Sequence, residues 1–256
     1  MSTVFHPLTD LLKKAIARYW GVLGVVAAWQ AWVSISGVNA IVMPHPMDVV
    51  ADIFSNPGIY WQNGAQTLLL AAGGLVLGMV LGTLIAVAAW TSRLLSGVLV
   101  PLGLVFSSIP VVALIPVLAR LLGYDIRTVL AIVVIISFFP AFVFTSAGLR
   151  ALPPGSDDLF KVLGASKWRR FIHLVVPSAV PNWMIALRIA APPAVLSAMV
   201  AEFLMGSSGL GYLFRASATD FDTARAFGTS LIATVISVLC FTAATFGETR
   251  VNARWR

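Results

Sequence analysis

His6, His45 and His173, with the single cysteine Cys240, are the side chains best suited to metal binding or nucleophilic chemistry. A metal centre or proton relay needs such groups to converge, and these histidines lie far apart in different topological regions. Cys240 sits in an apolar run, where a small buried residue is the plain reading, and one cysteine forms no internal disulfide or cysteine cluster. Gly206-Ser207-Ser208-Gly209-Leu210-Gly211 has the glycine content of a phosphate cradle but lacks the lysine, and no Gly-x-x-x-x-Gly-Lys-Ser/Thr run occurs. Arg188 and Glu202 differ in kind, because they stand in a long apolar stretch, where a charge at a bilayer centre costs about 2.5–3.5 kcal/mol. They lie near opposite ends of it, about 21 Å apart along a helix, too far for direct pairing. Structural or gate-packing roles are expected, with Arg188 snorkelling or bonding loop carbonyls. Neither catalytic residues nor metal ligands are expected.

These residues must be positioned by membrane-spanning helices. Of 256 residues, 59% are apolar and 11% charged, with 17 Lys and Arg against 10 Asp and Glu. Soluble domains carry about 25% charged residues. Mean hydropathy is +0.93. The net charge of +7 does not point to nucleic acid, because the cations are scattered between apolar runs rather than clustered.

A helix needs about 20 apolar residues to cross the hydrocarbon core. Six such segments are predicted, near residues 19–37, 66–90, 94–122, 128–149, 178–203 and 227–247. Pro101, Pro110 and Pro116 kink or break the third, and Pro192-Pro193 should break the ladder of the fifth, exposing carbonyls to a pathway. The first run is too long for a cleaved signal peptide, and more spans follow. With the N-terminus in the cytoplasm, the inner segments hold Lys13, Lys14, Arg18, Arg93, Arg150, Lys161, Lys167, Arg169, Arg170, Arg250, Arg254 and Arg256. The outer segments hold only Arg120, Arg127, Arg215 and Arg225. This asymmetry places both termini inside. The predicted organisation is a cytoplasmic amphipathic segment over 1–18, with Leu8, Leu11, Leu12, Ala15, Ile16 and Tyr19 on one face, a transmembrane domain over 19–247, and a basic tail over 248–256. No internal repeat or soluble second domain is evident.

Gly74, Gly78 and Gly82 recur every fourth residue, so another helix can approach closely, either within the chain or across a subunit interface. The cytoplasmic loop over 150–176 carries more structure than a tether needs. Pro153-Pro154-Gly155 ends a helix, Ser156, Asp157 and Asp158 provide a helix start, and Leu159, Phe160, Val162 and Leu163 add apolar surface before Gly164. Such a turn suits either a groove on a cytosolic partner or a bed of lipid headgroups.

Leu163-Gly164-Ala165-Ser166, Phe171, Val175, Pro177, Ala179, Pro181, Leu187-Arg188-Ile189-Ala190, Ala201-Glu202-Phe203 and Ser208-Gly209-Leu210-Gly211 follow one another in fixed order. Met43-Pro44-His45-Pro46 and Ile109-Pro110 to Pro116 precede them. This pattern resembles the inner-membrane permease of binding-protein-dependent ABC importers, in particular the nitrate, sulfonate and taurine type. The resemblance implies an all-α, type I permease fold with six transmembrane helices, working as two permease copies, a homodimer in this subgroup, with a cytosolic ATPase dimer and an extracytoplasmic solute-binding protein. ATP and Mg would sit on the ATPase, with no cofactor on this chain, and the location would be the bacterial inner membrane. Asp158, Leu159, Phe160, Leu163, Gly164, Ala165 and Ser166 would form the coupling loop. Pro177, Arg188, Glu202, Gly209 and Gly211 would be structural or gating residues. The family pattern usually has Glu-Ala-Ala where this chain has Asp158-Leu159-Phe160. Other importer subgroups and an ion-coupled secondary transporter are the rival readings.

Overall fold

A computed structural model describes residues 6–107 and 110–255, with no side-chain detail for 6–16 and a few further positions. The apolar face expected over Leu8–Ile16 and Tyr19, Ile109 of the proline-rich motif, and Arg256 of the tail lie outside the described residues. The described chain is helical throughout, in the order α1 (His6–Ser36), α2 (Pro46–Ser55), α3 (Pro57–Thr91), α4 (Arg93–Ser107), α5 (Val111–Leu122), α6 (Ile126–Gly148), α7 (Ser156–Val162), α8 (Lys167–Arg170), a π-turn (Phe171–Val175), α9 (Val176–Met205), α10 (Leu210–Thr219) and α11 (Thr223–Trp255).

Four segments are long and apolar enough to cross a membrane: Pro57–Thr91, Ile126–Gly148, Lys167–Met205 and Thr223–Arg254. Two further apolar helices, Trp20–Ser36 and Val111–Leu122, are shorter. The expected third span is two helices, because Pro110 is the extended residue that starts α5.

The chain divides into two compact units. The smaller comprises the chain up to Pro57 with Ala216–Gly228. Within it Trp29 packs on Phe227 at 5.6 Å between ring centroids. Arg225 pairs with Asp52 and Asp222, each at 3.0 Å.

The larger unit is built on α6. The α3 glycines lie against it in register: a methyl group added at Gly74, Gly78 or Gly82 would meet Val133, Ser137 or Ala141 at 2.5–2.7 Å. The stripe therefore packs within the chain. On α9, Ala179, Ala186, Ala190, Ala194, Ala198 and Ala201 are buried at helical spacing, and Gly148 at the end of α6 abuts Ala179 and Asn182. The Trp183 indole N–H on α9 donates to Thr83 Oγ1 on α3 at 2.9 Å.

Pro192-Pro193 do not break α9, contrary to the expectation from sequence. The helix runs unbroken from Val176 to Met205. Ala190, Ala191, Ala194 and Val195 are buried around the two prolines, while Pro192 is half-buried and Pro193 exposed. Packing on either side holds the helix axis, and the rings find room on its open face. They line an apolar groove of about 620 Å³ with Leu196, Phe203 and residues of α11. The irregularity appears earlier, in the π-turn, where the Val176 N–H bonds the Phe171 carbonyl just before Pro177. The wider turn precedes a proline that has no N–H to continue the ladder.

Gly78→Val should overpack the α3–α6 contact, at a cost of about 1–3 kcal/mol. Gly73→Ala, whose added methyl lies 3.6 Å from Leu130, should be near neutral. Thermal unfolding of the detergent-solubilised protein compares the two; equal effects would argue against close packing as the determinant.

Candidate coupling loop and buried carboxylate

Between α6 and α9 the chain folds into two short helices rather than a loose loop. The Ser156 hydroxyl donates to the Pro153 carbonyl at 2.6 Å as α7 begins, and Asp157 and Asp158 occupy its first turn. Ser166 starts α8, its hydroxyl accepting the Arg169 N–H at 3.3 Å. Between them Gly164 has a φ of +63° with open space where a Cβ would lie, so a side chain there would strain the backbone without clashing. The reversal is closed by the Ala165 N–H donating to the Phe160 carbonyl at 3.0 Å.

One ion pair joins the two helices, and two more stay within α7. Asp157 accepts from Lys161 at 3.2 Å and from Arg170, while Asp158 pairs with Lys161 at 3.1 Å. Asp158 is thus exposed and engaged within α7, whereas Asp157 carries the link to α8. The Lys161 ammonium, and after it Arg170, hold the Asp157 carboxyl below its ordinary 3.8. Asp158 and Asp157 raise Lys161 above its ordinary 10.5. Apolar side chains stand outward: Val162 is 85% exposed, Leu163 70% and Trp168 68%. Phe160 is half-buried.

The charges expected in the fifth span are each engaged locally. Arg188 pairs with Glu248 of α11 at 3.0 Å. At the far end of α9, Glu202 is 1% exposed. Its Oε2 accepts the Thr67 hydroxyl at 2.7 Å and the Gly211 N–H at 3.1 Å. Thr67 in turn accepts the Leu210 N–H at 2.8 Å, and Asn63 Oδ1 accepts the Gly209 N–H at 3.0 Å. Gly209 has a φ of +93°, and a side chain on it would collide with the Glu202 carboxylate. The glycine-rich turn is therefore a cap on α3 and α9. Glu202 Oε1 has no protein donor among the described residues, and the residue borders a polar cavity of about 200 Å³ with Gln66, Asp125 and Ser208, roomy enough for water.

Pro177 lies just inside α9, behind the π-turn. Sequence reasoning missed Thr67, Asn63 and Gln66, whose partners lie far along the chain. It also missed Glu248, the partner of Arg188. The bridging role of Asp157 was readable in part, since Lys161 follows it by four residues.

A family model described as binding-protein-dependent transport system inner membrane component matches residues 74–256. The chain belongs to this permease family. The formylaminopyrimidine transport permease protein ThiX of Halalkalibacterium halodurans is 34% identical over 202 residues, 78% of this chain and 81% of that one. The riboflavin transport system permease protein RibX of Chloroflexus aurantiacus is 27% identical and covers 94% of each chain. Among solved structures, an amino acid ABC transporter with histidines matches with a TM-score of 0.67 at 16% identity, over 79% of this chain and 98% of that chain. The MetNI methionine ABC transporter in an inward-facing form matches with a TM-score of 0.58 at 18% identity, over 75% and 94%. The fold is that of ABC importer permeases, and the matched relatives are transport permeases rather than enzymes.

Two outcomes follow from the site. Glu202→Ala should destabilise the permease by about 1–3 kcal/mol, by leaving the Gly211 N–H unmet and the Thr67 hydroxyl with only its longer bond to the Asn63 carbonyl at 3.1 Å. A double-mutant cycle with Thr67→Val, read by unfolding in detergent, should give a coupling of about 0.5–3 kcal/mol; strict additivity would argue against the bond. The α7–α8 link should also have a broad pH plateau. The lowered Asp157 carboxyl supports the link to Arg170 above 3.8, and that support is lost only as pH falls through its depressed value. A spin-label distance between α7 and α8 should stay constant above pH 3.8 and widen in Asp157→Asn.

Proposed function

We propose that this chain is the transmembrane subunit of an ATP-driven importer in a bacterial inner membrane, forming the path for a small solute delivered by a binding protein. Six crossing segments, with both termini inside, make up each subunit, and two identical copies flank the path. A separate ATPase dimer holds ATP and Mg and engages the segment from Asp158 to Ser166. Arg188 ties the middle of α9 to α11 and Glu202 ties its far end to α3, Pro177 lies at its start, and Gly209 and Gly211 shape the turn beyond it. ATP binding closes the ATPases, the Gly164 turns carry that motion into α6 and α9, and the path opens outward. Coupling requires solute and nucleotide to favour different conformations.

The observation that carries this reading is the rigid α7–α8 hairpin, exposing Val162 and Leu163 at the root of α9 in a chain of this family. Relatives named for formylaminopyrimidine, riboflavin and, in Escherichia coli, aliphatic sulfonates transport support a small solute such as a sulfonate, nitrate, taurine or a related small organic molecule.

Co-purification with ATPases from the same cell tests the proposal. Wild type should retain one, and Gly164→Asp and Val162→Asp should each lower capture at least about tenfold, a loss of roughly 1.4 kcal/mol. Val162→Asp adds charge without backbone strain, so it separates docking from misfolding. Proteoliposome uptake should require both ATP and a loaded binding protein. Uptake driven by an ion gradient without ATP would establish the secondary-transporter reading instead.

A further inference from the structure

Trp90, near the end of α3, lines two neighbouring cavities. One, of about 550 Å³, is walled by Val87, Lys167, Trp168, Arg170 and Phe171. The other, of about 390 Å³, is walled by Ser92, Ser96 and Arg150. The indole of Trp90 packs on Phe171 at 5.1 Å between centroids, and Phe171 stacks on Trp168 at 5.8 Å. An aromatic ladder thus stands at the foot of a helix long and apolar enough to cross the bilayer.

The charges in these walls have one sign. Lys167, Arg170 and Arg150 are cations, and no carboxylate lines either cavity. Arg170 is neutralised by Asp157, and Arg150 donates to the Ser96 hydroxyl at 2.6 Å. Among the described residues Lys167 has no ion-pair partner. Aromatic rings at the membrane–water boundary with cations just beyond them match the headgroup layer, where each Lys or Arg gains about 1 kcal/mol from anionic lipid.

We propose that the cleft around Trp90 binds the phosphate of an anionic phospholipid. Lys167 and Arg150 contact it from the two sides of the indole, and the acyl chains follow the apolar surface of α3 from Val87. A lipid is favoured over a protein partner because the cleft opens from a membrane-crossing helix, with an apolar wall on one side and cations on the other. The bound lipid ties the junction of α8, the π-turn and α9 to the headgroup plane, so that this root stays fixed while the hairpin beyond it is displaced. Only the choice of leaflet, the one beside the coupling loop, rests on the importer reading.

The test uses the full permease purified in mild detergent and titrated with phosphatidylglycerol or phosphatidylcholine of matched acyl chains, with bound lipid counted by native mass spectrometry. Wild type should retain phosphatidylglycerol preferentially. Lys167→Gln or Arg150→Gln should each cut that preference about fivefold, and the pair on the order of 25-fold. Arg127→Gln, at the opposite end of α6, should leave it unchanged, and equal phosphatidylcholine retention in all forms checks their folding. Equal retention of the two lipids by wild type, or undiminished preference in the double variant, would overturn the proposal. Displacement of the lipid by millimolar inorganic phosphate would do the same, since it would show a site for the free anion. If the double variant keeps its lipid preference but loses ATPase capture, the cleft is a protein contact and the lipid assignment fails. Lipid retention is measured on the permease alone, so failure to capture an ATPase leaves this result standing.

Discussion

Close approach between helix backbones is the constraint on which the larger unit rests. Inside a bilayer, side chains gain little by leaving lipid for one another, so two helices hold together by packing and hydrogen bonds. Gly74, Gly78 and Gly82 let α3 lie directly against Val133, Ser137 and Ala141 of α6. The alanine stripe of α9 packs from Ala179 to Ala201 in the same core. Because α6 enters the α7–α8 hairpin and α9 leaves it, a displacement of that hairpin is delivered to two helices already in contact along most of their length.

Hydrogen bonding then fixes what packing leaves free. A buried charge without partners is more costly than any single packing contact in this bundle, and each one found in α9 is engaged. Arg188 reaches Glu248 on α11, and Glu202 collects Thr67 and the Gly211 N–H. The middle of α9 is thereby tied to α11 and its far end to α3 and the glycine turn. Between these ties Pro192 and Pro193 remove donors from the ladder where α9 faces an apolar groove shared with α11.

The hairpin itself uses a different principle, since its ion pairs are largely exposed, and exposed ion pairs add little stability. Asp157, paired with Lys161 in its own helix, reaches Arg170 across the Gly164 turn, and its value is geometric: it fixes the angle between α7 and α8. The Trp90–Phe171–Trp168 ladder supplies the matching rigidity at the root.

Composition and patterning by themselves determined that this chain is a helical membrane protein, because 27 charged side chains among 256 residues cannot solvate a soluble surface (17 and 10). The motif order around Gly164 and Gly209 indicated the permease family, and the spacing of Gly74, Gly78 and Gly82 marked a close helix contact. These features are local, and local chemistry is written in sequence. Only the tertiary structure decided which helix the glycines meet, that Arg188 finds Glu248, and that Thr67 and Asn63 cap the glycine turn, since those partners lie 60 to 146 residues away. It also overturned the expected break at Pro192-Pro193. A proline's cost to a helix is local, but whether the axis survives depends on neighbours that hold it from both sides, and no window of sequence contains them.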